Sequence, residues 1–266
     1  MTADRDFDDI CIPSTYELEE IFLQKYGAPD KVGWAPRRRY QARYYLPADI
    51  YEATVKKLVF DGCAWIDVGG GHSIFPENPL LARQLVSRCS LVVGVDPSEN
   101  IDQNDFVHQR FRCLIEDFQT DKQFDLVTLR MVAEHISEPS RVVKALHRLL
   151  HPKGVVVIFT VNMWSPITII SLFAPFYTHY PVKKLFWGGE SEDTFPVQYK
   201  MNTREILQNI FQENNFHEIA FSYLDDLSAF GRFSCMNHIE LLTWKIMRRL
   251  GMCYPENCLL GVYRKA

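Results

Sequence analysis

Trp65-Ile66-Asp67-Val68-Gly69-Gly70-Gly71-His72-Ser73-Ile74-Phe75 is the stretch on which the reading of this chain turns. An apolar run from Cys63 to Val68 stops at three glycines. A short hydrophobic run ended by a breaker reads as a buried strand. Glycine serves where backbone turns with positive φ, or lies against a ligand with no Cβ in the way. Asp67 stands just before the break. A carboxylate at the end of a buried strand is costly unless it meets a cation or hydrogen-bond donors. Strand end, acid and glycine turn together point to a small-molecule site at the carboxyl edge of a parallel sheet.

Two readings of the turn compete. A dinucleotide fingerprint needs Gly-x-Gly-x-x-Gly running straight into a helix. Gly69 and Gly71 fit, but Ile74 holds the third position, and Phe75-Pro76-Glu77 delay the helix until Asn78-Pro79, an N-cap followed by proline. That delay removes the helix dipole from a pyrophosphate. Asp67-Val68-Gly69-Gly70-Gly71 instead resembles the first motif of the class I S-adenosylmethionine-dependent methyltransferases: an acid, an apolar residue, then Gly-x-Gly. Ser73 stands where that family often has a further glycine.

Downstream, Leu91 to Asp96 is an apolar strand ending in an acid. An acid there receives the ribose hydroxyls of an adenosine, about 20 residues past the glycines. Pro97-Ser98 then turns the chain. Arg112 to Phe118 reads as a third short strand and loop, and Phe124 to Arg130 as a fourth strand. Met131 to Ile136 includes a Glu-His pair like that common in small-molecule methyltransferases. Pro139 to Leu150 reads as a helix with one apolar face, His151 to Gly154 as a turn, and Val155 to Val161 as a β-branched central strand. The resemblance runs from Ile66 to about Asn162. It implies an α/β fold: a doubly wound, seven-stranded, mostly parallel, Rossmann-like sheet, its last two strands paired antiparallel at the edge. It implies S-adenosylmethionine as cofactor, S-adenosylhomocysteine as product, and cofactor contacts from Asp67, Gly69, Gly70, Gly71, Asp96, Pro97, Asp117, Phe118, Arg130 and Met131. Asp117 and Phe118 would take the adenine, with Glu116 as the rival acid.

Upstream, Tyr16 to Tyr26 has helical spacing of apolar residues. Pro36 to Tyr45 interleaves arginine and tyrosine. It reads as a solvated basic loop with packed tyrosines, or as an arm closing on substrate; RNA binding has little else to support it. Pro47-Ala48-Asp49 opens a helix with Asp49 as its N-cap. Met163 to Lys200 is rich in aromatics and proline. It reads either as a packing layer or as a lid over an apolar or aromatic acceptor. A helix follows Asn202-Thr203, then strands at Glu218 to Leu224 and Leu259 to Arg264, with a helix at His238 to Leu250 between them. The organisation expected is an N-terminal helical arm (1–48), a cofactor-binding core (49–162), an inserted lid (163–200) and a C-terminal part of the core (201–266).

Composition is consistent with this. The chain has 266 residues, 47% of them hydrophobic, and a net charge of −4. That supports one sizeable core and disfavours nucleic acid as partner. Seven scattered cysteines, with no metal cluster evident, read as reduced thiols in a cytoplasmic protein. No uncharged run reaches membrane-spanning length. The expected partner is a small-molecule acceptor, with the chain a monomer or homodimer.

A sulfonium makes its methyl strongly electrophilic, so the protein must place a nucleophile in line and exclude water. The activity expected is methyl transfer to oxygen, nitrogen or carbon of a small, apolar or aromatic metabolite. The rivals are a catalytically silent cofactor-binding subunit and, more remotely, an NAD-dependent oxidoreductase. His135 is the candidate base, because imidazole titrates near neutrality, although a histidine there also serves as a packing residue. Tyr44, Trp164, Tyr180 and Tyr199 are candidate acceptor contacts, with His179 as a further one.

Overall fold

The computed structural model describes residues 12–166, 168, 169, 195–228, 230, 231 and 233–266. Helices α1 (Thr15–Tyr26), α2 (Trp34–Ala42) and α3 (Pro47–Leu58) precede β1 (Ala64–Val68). There follow α4 (Pro79–Arg88), β2 (Leu91–Val95), β3 (Gln109–Phe111), β4 (Phe124–Arg130), α5 (Pro139–Leu149) and β5 (Leu150–Val161). The chain ends with α6 (Arg204–Glu213), β6 (Phe216–Asp225), α7 (Ser234–Arg249) and β7 (Glu256–Lys265).

One sheet has the order β3-β2-β1-β4-β5-β7-β6. The first five strands pair in parallel, and β7 lies antiparallel between β5 and β6. The expected doubly wound, seven-stranded, mostly parallel sheet is what the chain forms. From β1 the chain winds outward to β2 and β3, then returns to the other flank with β4 and β5. The carboxyl ends of β1 and β4 therefore meet where the winding reverses, which is where open sheets of this kind hold ligands.

Central strands buried on both faces need continuous apolar runs. In β5, Val155, Val157 and Phe159 join the core under α3 and α4, where Tyr51, Val55, Phe75 and Leu81 pack. Val156 and Ile158 join the opposite core under α5 and α6, with Val143, Leu146, Leu207 and Phe211. The Asn78-Pro79 signal holds: Asn78 Oδ1 accepts the Leu81 N–H and proline occupies the first turn of α4.

Several local expectations are corrected. The Arg-Tyr stretch is not a loop but contains α2; proline is tolerated in a first turn, where its missing N–H has no intrahelical acceptor. Asp49 is not the N-cap of α3. Leu46 is, and Asp49 lies three residues in, its carboxylate accepting the Leu46 N–H at 3.0 Å. Arg112 to Phe118 is not a strand; β3 ends at Phe111 and the Leu114 to Phe118 stretch turns. His151 to Gly154 lies within β5, where the pairing with β4 slips between Phe124 and Leu126. α7 begins at Ser234 rather than His238. Most of the aromatic segment expected as a lid, Tyr180 and His179 included, lies outside the described residues.

The N-terminal helices are tied in by buried charge. Lys25 of α1, its side chain 1% exposed, reaches Asp49 and Glu52 of α3 at 3.0 Å each. Glu52 also accepts from Asn78 Nδ2 at 2.8 Å, so one cluster links α1, α3 and the start of α4. Burial alone would lower the Lys25 ammonium; Asp49 and Glu52 reverse that and hold it well above the usual lysine range. Removing one partner of a buried ion pair strands the other. Lys25→Met is therefore expected to destabilise the fold by about 3–5 kcal/mol in chemical denaturation. A loss below about 1 kcal/mol would mean that the two carboxylates find other partners or water.

Candidate active site

The carboxyl end of β1 carries the buried acid that the sequence singles out. Asp67 is 2% exposed and faces the α3 side of the sheet. Its Oδ1 accepts the Thr128 hydroxyl at 2.7 Å, and Thr128 in turn accepts the Trp65 indole N–H at 2.8 Å. Its Oδ2 is buried with no partner among the described residues. Two more unpaired polar atoms belong to the same electrostatic neighbourhood: the Tyr51 hydroxyl of α3 and Nε of Arg130 at the end of β4. Burial pushes the Asp67 carboxyl up to about 7, against the pull of Thr128 and Arg130. Burial likewise keeps the Tyr51 hydroxyl protonated, as a donor.

The glycine turn closes over this acid. Gly69 has φ of 69° and Gly71 of 44°. A Cβ on Gly69 would overlap Cγ2 of Val132, and a Cβ on Gly70 would overlap the unpaired Oδ2 of Asp67. At Gly71 a Cβ would meet only open space. The turn is thus pressed against the loop after β4 on one side and open on the other. Asp96, just past β2, is 6% exposed; its two carboxylate oxygens accept the Gly71 N–H at 3.0 Å and the Ser98 N–H at 2.7 Å. Each oxygen keeps a lone pair for a further donor. Pro97 beside it is exposed. Asn104 is fully buried and donates to the Gly71 carbonyl at 3.1 Å.

Asp67, Gly69, Gly70, Gly71, Asp96, Arg130 and Met131 thus gather at the adjoining ends of β1, β2 and β4. Met131 has a φ of 54°, strained for a residue with a side chain, and its N–H donates to Phe159 O at 2.7 Å. Asp117 and Phe118 follow the turn after β3. Asp117 is exposed and 3.4 Å from Arg141, whereas Phe118 is buried with its ring 4.8 Å from Phe111. Glu116 is half-buried.

Beyond Met131 a single 3-10 turn, Ala133–His135, carries both members of the Glu-His pair. Glu134 is buried, which raises its carboxyl; its Oε2 accepts the Thr160 hydroxyl at 2.7 Å. Asn202 donates to that same hydroxyl oxygen at 2.9 Å. The Glu134 carbonyl accepts the N–H groups of Gln198 and Tyr199. His135 is half-buried, its Nδ1 3.3 Å from the Pro196 carbonyl and its ring 6.3 Å from Phe195. With Nδ1–H donated there, Nε2 keeps its lone pair. Trp164, 66% exposed, lines a cavity of about 590 Å³ with Tyr223 and Tyr254 at the ends of β5, β6 and β7. Tyr44 is elsewhere: it is buried against Trp244, its hydroxyl bonded to Asp225 O and Leu227 N–H. Tyr51, Asn104 and the Thr160–Asn202 pair are site residues that the sequence did not single out.

Residues 38–220 match the methyltransferase-domain family Methyltransf_23. The chain belongs to the methyltransferase family. It is of the class I, S-adenosylmethionine-dependent type read from the glycine turn, and S-adenosylmethionine is its methyl donor. Among curated relatives, a ubiquinone biosynthesis O-methyltransferase from Coxiella burnetii is 25% identical over 159 residues, 56% of this chain and 65% of that protein. One from Pasteurella multocida is 23% identical over 211 residues, 66% of this chain and 85% of that protein. The chain thus spans less than two thirds of the length of the Coxiella relative. Among solved structures, the geranyl diphosphate C-methyltransferase of Streptomyces coelicolor A3(2) has the same fold at 16% identity and a TM-score of 0.52, over 81% of this chain and 75% of that one.

The donor set fits that cofactor. An unpaired carboxylate oxygen and an unpaired guanidinium nitrogen suit the ammonium and carboxylate of its amino-acid end; a carboxylate with free lone pairs suits its ribose. An ammonium at Asp67 Oδ2 binds the ionised acid, so binding expels a proton wherever the free acid holds one. Affinity for S-adenosylhomocysteine is expected to fall about tenfold per pH unit below 7 and to level off above it. Asp67→Asn should bind weakly at every pH and show no such slope. A slope of the same size in Asp67→Asn would locate the titrating group elsewhere. Asp96→Ala is expected to weaken binding by about 2 kcal/mol in calorimetry.

Proposed function

We propose that this chain methylates an oxygen of a small, apolar or aromatic molecule bound between the loop after β4 and the stretch from Phe195 to Tyr199. The observation that carries the proposal is the gathering of unpaired polar atoms of Asp67, Tyr51 and Arg130 beside the open side of the glycine turn, with His135 following on the same strand end. The naming of the curated relatives as O-methyltransferases supports oxygen over nitrogen or carbon.

The donor supplies a methyl on a sulfonium, which is electrophilic without further activation. The work left to the protein is alignment, water exclusion and, for a hydroxyl acceptor, removal of a proton. In this reading Asp67 and Arg130 hold the amino-acid end of the donor, and Asp96 its ribose. Pro97, Asp117 and Phe118 lie toward the base, Gly70 keeps the path to Asp67 free, and Met131 borders the methyl. His135 Nε2 takes the hydroxyl proton, while the Pro196 carbonyl holds Nδ1–H and so fixes the tautomer. Phe195 and Tyr199 supply apolar wall, while Trp164 lies on the separate cavity with Tyr223 and Tyr254. Glu134 acts on none of these atoms; it fixes the turn bearing His135 through Thr160.

Release of S-adenosylhomocysteine with a panel of phenolic, amine and carbon acceptors tests the proposal directly. Turnover confined to amines or carbon acids would overturn the choice of oxygen. His135→Gln is expected to lower kcat about a hundredfold while leaving S-adenosylhomocysteine affinity unchanged. An unchanged kcat across the pH range would make His135 structural.

A further inference from the structure

α7 buries one narrow face and leaves the other bare. Asn237, Glu240, Leu241 and Trp244 point inward. On the outside, Ile239 is 63% exposed, Leu242 52%, Ile246 50% and Leu250, just past the helix, 68%. Their spacing of three and four residues lays them along one side of the helix. A surface helix normally turns charge and amide groups to water on this side. Here the stripe is continuous, and single exposed apolar residues elsewhere do not explain it.

The exposed charges of α7 have one sign. Lys245, Arg248 and Arg249 are exposed on α7, and the one acid of the helix, Glu240, is buried and accepts from Tyr254. α2 packs alongside, tied by Arg38 Nη1 to Ser234 O at 2.5 Å. It contains no acid and on this side carries Arg38, stacked on Trp34 at the exposed start of the helix, while Arg39 turns away onto Tyr26. This positive, apolar face belongs to a chain whose net charge is −4, so it is a local concentration and not a general property of the surface.

We propose that the α2–α7 face docks on an anionic lipid bilayer, with α7 lying in the plane of the interface. An apolar stripe flanked by lysine and arginine suits this position, the side chains entering the acyl boundary and the cations meeting lipid phosphates. A tryptophan at the edge of such a face is favoured at headgroup depth. A second copy of the chain is the poorer occupant. Pairing α7 with itself, parallel or antiparallel, would bring Lys245, Arg248 and Arg249 to a partner helix with no exposed acid to answer them. No helix among the described residues is long and apolar enough to cross a membrane, so attachment through α7 would be peripheral. The proposal stands whether or not the acceptor is the oxygen compound argued above.

Co-sedimentation of the full chain with sucrose-loaded vesicles tests it. Vesicles of phosphatidylcholine containing about a third phosphatidylglycerol are expected to bind at low salt, with weaker binding as salt rises, and pure phosphatidylcholine vesicles much less. Leu242→Asp with Ile246→Asp, and separately Lys245→Glu with Arg249→Glu, should each lower partitioning about tenfold or more. Both pairs are exposed, so thermal melting and S-adenosylhomocysteine affinity should stay at parental values and exclude misfolding as the cause. Failure to bind anionic vesicles, or binding that both variant pairs leave intact, would overturn the proposal. So would a dimer in analytical ultracentrifugation that Leu242→Asp with Ile246→Asp dissociates.

Discussion

A carboxylate held in a dry place with one oxygen satisfied and the other bare is the constraint around which this fold is arranged. Asp67 could be fully satisfied by one more donor, and Tyr51 has one to offer, yet Oδ2 of the acid and the Tyr51 hydroxyl have no partner among the described residues. The surrounding structure holds them so. Thr128 takes one face of the acid, α3 is pinned above it by the Lys25 cluster, and the absence of a Cβ at Gly70 leaves the bare oxygen uncovered. Stability is given up here to keep a site ready. In the proposed function, the ammonium of the donor would meet the cost of desolvating the acid, so binding would recover energy that folding left unspent.

What the sequence made legible is what backbone pattern and strand ends can encode. Apolar runs ending in Asp67 and Asp96, the three glycines and the β-branched run of β5 all carry their meaning locally, and the structure bears out the sheet they imply. Tyr51 was not legible, because an aromatic on the apolar face of a helix looks the same whether its hydroxyl ends near a carboxylate or in water. Asn104 gave no signal either. Its function is to hold the Gly71 carbonyl from a distant loop, and no period or motif announces that.

The misread elements have physical reasons of the same kind. Cys113-Leu114-Ile115 is apolar and so looked like a strand, but these residues lie on a turn whose Ile115 fills the core from outside the sheet. The true edge strand, Gln109-Arg110-Phe111, is exposed and therefore carries no core pattern. The Arg-Tyr stretch can form a helix because Pro36 falls in its first turn, where a proline does no harm; its interleaved arginines and tyrosines carry no apolar helical period and so read as a loop.

The Glu134 carbonyl receives the N–H groups of both Gln198 and Tyr199, and Lys200 reaches Ser137 O at 2.9 Å. The turn bearing His135 and the chain bearing Phe195 are therefore one mechanical piece. A lineage that reshaped Phe195 to Tyr199 for a new acceptor would shift the imidazole in the same step. In the proposed function, acceptor range and the handling of the proton would then drift together among relatives, and neither trait would be freely inherited without the other.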